Sequence, residues 1–406
     1  MAAPTSIDTG RPAVVALALG VLGLAVGLAV TLAGGTLPGA VLMGFLFWVG
    51  ASLGGLAFLL IGHMAGGSWA AVVRRPLEAM TSALPIALLF LLPVVAFVPQ
   101  LYPWSDAAYV EAHKLVAWKS GYLDTTWFIV RAVLYAALWL LAAWTYLRGA
   151  REQDAADLSR AGRLGYRMKV SAGAWVVVYV LTMTLAATDW AMSLTPEWWS
   201  GIYGIIFMIG QAITAVSLVI LSMVWLARRS PRIDGLLTEK RLQDLGNFLM
   251  AFTMFWAYVN VSQLMIHWAN NIVETNTFYV LRLGTQPWAG LGAYLLVAGF
   301  FLPFLTLFSR WVKRRRATLA FVAGWSLLNQ ALHMYYTVAP EVGRTGLPGI
   351  GDVAIFVGIG GVWLAAFLRS LGSRSVVPER DPRLLAAEHV HHAAAGHSTA
   401  PEVRHA

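Results

Sequence analysis

From Pro12 to Val73 the chain reads PAVVALALGVLGLAVGLAVTLAGGTLPGAVLMGFLFWVGASLGGLAFLLIGHMAGGSWAAVV, without one Asp, Glu, Lys or Arg. A bilayer core needs about 20 apolar residues per helical crossing, so this stretch holds two spans with a turn at Gly34-Gly35. The rest of the 406 residues follows suit. Hydrophobic residues make up 58%, charged residues only 12%, and mean hydropathy is +0.66. A soluble domain carries about a quarter charged residues, so this composition cannot cover a water-facing surface. The chain is an all-α integral membrane protein on this reading. There is no cysteine. Disulfides, cysteine-ligated iron–sulfur clusters and covalent c-type haem are thereby excluded for this polypeptide.

Apolar windows predict ten transmembrane helices, near 13–33, 41–63, 79–98, 124–147, 170–192, 202–226, 245–267, 287–309, 317–338 and 350–369. The first is too long for a signal-peptide core and is read as a retained anchor. Connections after even-numbered spans carry eighteen Arg and Lys; those after odd-numbered spans carry Lys114, Lys119, Arg282 and Arg344. The positive-inside rule then puts both termini in the cytoplasm. This bias and attraction to anionic membrane lipid account for the +9 net charge, with no nucleic-acid partner. Acids such as Asp106, Glu111, Asp124, Asp189, Glu197, Glu274, Glu341 and Asp352 gather on or near the outer side, among tryptophans of an interfacial belt.

Ionisable groups inside a span are expensive, and each is a functional hypothesis. Arg131 lies seven residues beyond Asp124, about 10 Å deeper in the membrane at the helical rise, so Asp124, Arg131 and Tyr135 share a stripe. That stripe is either a structural ion pair or a contact to protons or a quinone headgroup. Asp189 ends the fifth span, where desolvation favours its neutral form and a nearby Arg131 opposes this. The seventh span aligns Thr253, Trp256, Asn260, Gln263 and His267 on one face; the ninth aligns Ser326, Asn329, Gln330, His333 and Tyr336. Such stripes must face protein or water. Amide glue between helices explains Asn and Gln, whereas the histidines suit proton transfer. A haem held by His267 and His333 is the lesser reading, because a second facing pair is missing. In the polar tail, His389, His391, His392 and His397 offer metal ligands without a folded frame.

An internal echo sets the domain plan. Asp189-x6-Pro196-Glu197 and His333-x6-Pro340-Glu341 share one spacing, and Thr182 and Ser326 align under the same offset. The expectation is an N-terminal segment and flanking helix (1–40), a first four-helix bundle (41–192), a second (202–338), a flanking tenth helix (350–369) and a disordered or partner-draped cytoplasmic tail (370–406). Pro85, Pro93 and Pro303 are expected to interrupt their helices.

The runs Gly66-Gly67-Ser68-Trp69, Arg74-Arg75-Pro76-Leu77-Glu78, Leu101-Tyr102-Pro103-Trp104, Phe128-Ile129-Val130-Arg131 and Ala187-Thr188-Asp189-Trp190 occur in that order. Ile202-Tyr203-Gly204, Phe255-Trp256-Ala257-Tyr258, Leu302-Pro303-Phe304 and Val377-Pro378-Glu379-Arg380-Asp381-Pro382 follow them. Together they resemble the F subunit family of alternative complex III, a quinol:cytochrome c or electron-acceptor oxidoreductase with NrfD-like, polysulfide-reductase-type membrane subunits. The resemblance implies a subunit of the bacterial inner (cytoplasmic) membrane with no redox cofactor of its own. Haem and iron–sulfur clusters would sit in partners: an NrfD-like quinol-binding subunit, an iron–sulfur subunit and multihaem cytochrome c subunits. The role implied is structural, with a proton path through Asp124, Arg131, Tyr135, Asp189, Asn260, Gln263, His267, Gln330 and His333. Two alternatives stand beside it, namely that this chain binds menaquinone or ubiquinone itself, and that it is a stand-alone secondary transporter.

Overall fold

The computed structural model describes residues 7–270 and 272–384. The chain is a multi-pass all-α membrane protein. Its ten long helices, among the described residues, are α1 (Gly10–Ala33), α2 (Leu37–Ala65), α3 (Arg74–Ala96), α4 (Thr125–Ala155), α5 (Leu158–Trp190), α6 (Tyr203–Ala227), α7 (Glu239–Asn270), α8 (Trp288–Phe308), α9 (Arg316–Val338) and α10 (Ile350–Gly372). Nine of them are long and apolar enough to cross a membrane. The exception is α9, which is just as long but gives up hydropathy to its polar residues Ser326, Asn329, Gln330 and His333, all buried. Its length matches the others, and its polar face is turned into protein.

Helix α2 is the hub. It is almost wholly buried and touches α3, α5, α6, α9 and α10. Helices α2, α3, α4 and α5 contact one another in a ring, as do α6, α7, α8 and α9. Helix α1 packs mainly on α10 and leaves most of its side chains to lipid. The α1–α10 contact is a backbone approach: a Cβ on Gly361 would stand 2.5 Å from the Gly20 Cα, and one on Gly20 would stand 2.6 Å from the Val362 nitrogen. Such small-residue seams replace the hydrophobic effect that lipid removes. Gly361→Leu is expected to push α1 off α10 without unfolding the rest. Cross-linking between cysteines placed at positions 24 and 358 should fall sharply, and unchanged cross-linking would refute the seam.

Proline shapes two helices. Helix α3 is broken at Ala83 and Phe90, each a few residues before Pro85 and Pro93, where a missing N–H and a ring clash interrupt the ladder. In α8 a π-helical stretch, Leu295–Phe301, precedes Pro303, and the Ala298 carbonyl accepts from Trp325 Nε1 on α9 at 2.7 Å.

Two expectations need correction. The third span begins at Arg74 rather than near 79, so Arg74, Arg75 and Glu78 belong to a buried helical turn and are not loop charges. The tail, expected to be disordered or partner-draped from 370, is packed through Leu384: Val376, Val377, Asp381 and Leu384 are buried. Arg74 explains both. Its guanidinium donates to Glu78 at 2.7 Å, Gln153 at 2.5 Å and Asp381 at 2.9 Å, tying the tail to α3 and α4. Arg383 closes the knot by donating to Asp381 and to the Gly62 carbonyl at the end of α2. Burial would raise the Asp381 carboxyl, but the hydrogen bonds from Arg383 and the charge of Arg74 outweigh it and hold Asp381 well below the usual carboxylate range. A carboxylate depressed on folding stabilises above its unfolded value and loses that contribution only as pH falls through the lower folded value, so this latch survives mild acid. His389, His391, His392 and His397 lie outside the described residues.

Candidate functional site

The end of the molecule opposite the Arg- and Lys-rich connections carries two polar clusters, one beside α4 and α5, the other beside α7 and α9. In the first, Arg131 reaches from α4 to Asp189 on α5 through two bonds, Nε to Oδ2 at 2.8 Å and Nη2 to Oδ1 at 3.1 Å. Tyr135, one turn on, donates its hydroxyl to Asp189 Oδ2 at 2.8 Å. The guanidinium also lies 3.8 Å from the centre of the Tyr122 ring and donates to the Tyr122 carbonyl at 3.0 Å. Asp189 is fully buried and its carboxylate accepts three bonds. This is a closed arrangement: both oxygens are engaged by donors, and a fork-to-fork pair with an added hydroxyl is the strong form of a charged contact. Below it Trp139 Nε1 donates to Thr182 Oγ1 at 2.8 Å.

Asp124 does not join this cluster. It is the N-cap of α4, where its Oδ1 accepts from the Thr126 and Trp127 amides at 2.9 and 3.1 Å. The stripe expected of Asp124, Arg131 and Tyr135 therefore divides, with the cap at the helix start and the ion pair deeper.

The second cluster is open. Thr253, Trp256, Gln263 and His267 on α7 and Gln330 and His333 on α9 are buried, with Asn260 half-buried, so both stripes face inward. Gln263 Nε2 and His267 Nε2 are 2.5 Å apart, and Ser200 donates to Gln263 Oε1 at 2.7 Å. Asn260 donates back to the Trp256 carbonyl at 2.8 Å, and Trp256 Nε1 points at His333 Nδ1 from 3.4 Å. The two histidines thus turn to different partners. Among the described residues no three His, Asp or Glu side chains converge as a metal set.

Between the stripes lies a cavity of about 350 Å³, walled by Trp198, Phe278, Tyr279 and Tyr336, with Asn260, Gln263, Arg282 and His333 as polar points. Trp198 stacks on Phe278 with ring centres 4.3 Å apart, and its buried indole N–H has no hydrogen-bond partner among the described residues. Val261, Leu283 and Leu296 line the cavity and are exposed, so its opening is framed by apolar side chains of the kind a span turns to lipid. His333 borders a second, small cavity of about 20 Å³ toward the centre of the molecule, shared with Gln330, Gln211 and Thr214. That volume holds one water. Beyond it Tyr179 on α5 donates to Gln211 Oε1 at 2.6 Å.

One residue escapes sequence reasoning. Arg282, counted above among loop charges, is completely buried in the short helix Val273–Gly284 beside the cavity. It donates to Glu341 at 2.7 Å, to the Phe278 carbonyl at 2.9 Å and to the Thr337 carbonyl at 2.7 Å, and its charge sits 3.3 Å over the Phe278 ring. Thr195 donates to the other Glu341 oxygen. Arg131–Asp189 and Arg282–Glu341 are thus counterparts, one cation–carboxylate pair per cluster. No protein-family model matches the chain, and no characterised protein matches it either.

Proposed function

We propose that this chain is a membrane subunit of a quinol:electron acceptor oxidoreductase, handling protons while electrons travel in partner subunits. The reading combines the resemblance to the F subunit of alternative complex III, which implies that redox centres sit in partner chains, with the lack of cysteine, which leaves cysteine-ligated iron–sulfur clusters and covalently attached haem to them. The helix rings α2–α5 and α6–α9 support two four-helix units flanked by α1 and α10. Positive-inside bias favours cytoplasmic termini, and the resemblance implies a bacterial inner membrane.

The observation that carries the proposal is the position of His333. It stands between the lipid-facing cavity and the water-sized one, with Gln330, Gln211 and Tyr179 continuing inward. A neutral imidazole there takes a proton on one ring nitrogen from the cavity side and releases the proton of the other nitrogen to a water in the small cavity. Asp189 and Arg131 serve this scheme as a fixed charge pair, since both Asp189 oxygens are already engaged by donors.

The lateral mouth favours one further reading, in which menaquinone or ubiquinone itself enters this subunit from the bilayer. Aromatic walls suit a flat ring, and the free Trp198 N–H with Gln263 and His333 suits its oxygens. A solute carrier would need its site open to water from alternating sides, and the cavity's mouth faces lipid instead.

Purification through a tag on this chain from its native membrane is expected to bring down haem- and iron–sulfur-bearing polypeptides; a solitary colourless protein would overturn the assignment. Within the purified complex, His333→Phe should lower quinol oxidation by about a hundredfold, the range of one general acid–base group, at an unchanged melting temperature. Wild-type turnover and proton release in that variant would remove His333 from the route.

A further inference from the structure

The end that carries the Arg- and Lys-rich connections holds a pocket unrelated to the clusters above. It is a cleft of about 440 Å³ where the start of α3, the end of α4 and the packed tail meet, lined by Arg75, Arg151, Arg374 and Arg380 against Asp154 and Glu379. Of the carboxylates near it, Asp154 and Glu78 are already shared, which leaves the exposed Glu379 at the rim against four arginines. Asp154 accepts from Arg75 Nη2 at 2.8 Å and faces Arg374 at 3.5 Å, and Glu78 beneath accepts from Arg74 and Arg75 at 2.7 Å and faces Arg374 at 3.3 Å. Arg151 and Arg380 have no ion-pair partner among the described residues. Arg75 is buried and, among the described residues, its Nε is left without a hydrogen-bond partner, as is Nη2 of the adjoining Arg74. Buried guanidinium N–H groups without acceptors call for an anion.

The surface leading to this cleft identifies the anion's carrier. Leu141, Trp144, Arg148, Arg151 and Ala155 recur at three- and four-residue spacing on α4 and so form one stripe. Leu141 and Trp144 are exposed at membrane depth, and Arg148 stacks on Trp144 at 5.2 Å. The stripe runs about 15 Å from hydrocarbon to the arginines, at the helical rise. We infer that the cleft binds the phosphate headgroup of an anionic phospholipid, whose acyl chains lie along the Leu141–Trp144 face of α4. Arg151 and Arg380 meet the phosphate oxygens from the rim, and Arg75 meets them from the floor. Because Arg374, Glu379 and Arg380 belong to the tail, the lipid also fastens residues 374–380 to the membrane surface.

The test uses the full-length protein, delipidated in a mild non-ionic detergent, with phosphatidylglycerol, cardiolipin, phosphatidylcholine or inorganic phosphate added back. Native mass spectrometry and the thermal midpoint are the readouts. Phosphatidylglycerol and cardiolipin should stay bound and raise the midpoint, while phosphatidylcholine and inorganic phosphate should not. Arg151→Gln with Arg380→Gln should weaken anionic-lipid binding about twenty-five-fold, at about fivefold per basic side chain. The control Arg160→Gln with Arg163→Gln, on the same basic end but outside the cleft, should leave binding as it was. Equal loss in both double variants, retention in the first, or equal binding of phosphatidylcholine would overturn the proposal. A midpoint shift reproduced by inorganic phosphate alone would do the same, since the site would then serve a free anion. Neither Arg151 nor Arg380 holds an ion pair among the described residues, so the variant removes no such contact there.

Discussion

Arg282→Leu is expected to cripple the protein, lowering its stability by about 3–5 kcal/mol, the scale on which removing one partner strands the other in a buried pair. Glu341 would remain as a nearly buried carboxylate facing only Thr195, and the Phe278 and Thr337 carbonyls would lose their donor. Thermal unfolding followed by fluorescence-detected size exclusion reads the effect. Arg282→Leu combined with Glu341→Leu should recover part of the loss, because the second change removes the stranded charge. A single variant that melts with the wild type would show that the pair contributes nothing. The cavity wall should suffer too, since Phe278 is held between Arg282 and Trp198.

Asp189→Asn tests the other pair, and its expected signature is different. The amide keeps the shape and the Tyr135 contact but cannot neutralise Arg131. The loss should be about 2–3 kcal/mol, in the range of a charged hydrogen-bonded contact. It should be smaller than at Arg282 because Arg131 is 16% exposed and can lean toward the membrane boundary. Arg131→Gln in the Asp189→Asn background should restore most of the stability. If Asp189 instead carries protons, the variant will melt normally while proton release per electron falls, and the ion-pair reading is then wrong.

These two pairs were unequally visible in the amino-acid sequence. Arg131 and Asp189 stand inside apolar runs, where any charge is conspicuous. Arg282 sits in a connection and counts as an ordinary loop charge, though Phe278 one turn before it hinted at a stacked guanidinium. The helices were legible because long uncharged runs leave few other structures for a bilayer, and the polar stripes of α7 and α9 because amides cannot be aimed at lipid. Asp124 misled, since a carboxylate opening a helix is an N-cap first. The start of α3 was placed late because three charges within five residues resemble a loop, yet the Arg74–Glu78 and Arg75–Glu78 spacings are those of helical ion pairs. The packed tail was signalled only by Val376-Val377-Pro378, too short a run to separate from a linker.

The pairing of α1 with α10 bears on how the protein is made. Helix α1 finds its main neighbour only in α10, Ile350–Gly372, once every helix between them has been made. During translation of everything between them, α1 waits in the lipid with its glycine seam uncovered, available to insertion chaperones or to a wrong neighbour. Quality control that scans nascent chains for unpaired small-residue faces has its longest window of opportunity here.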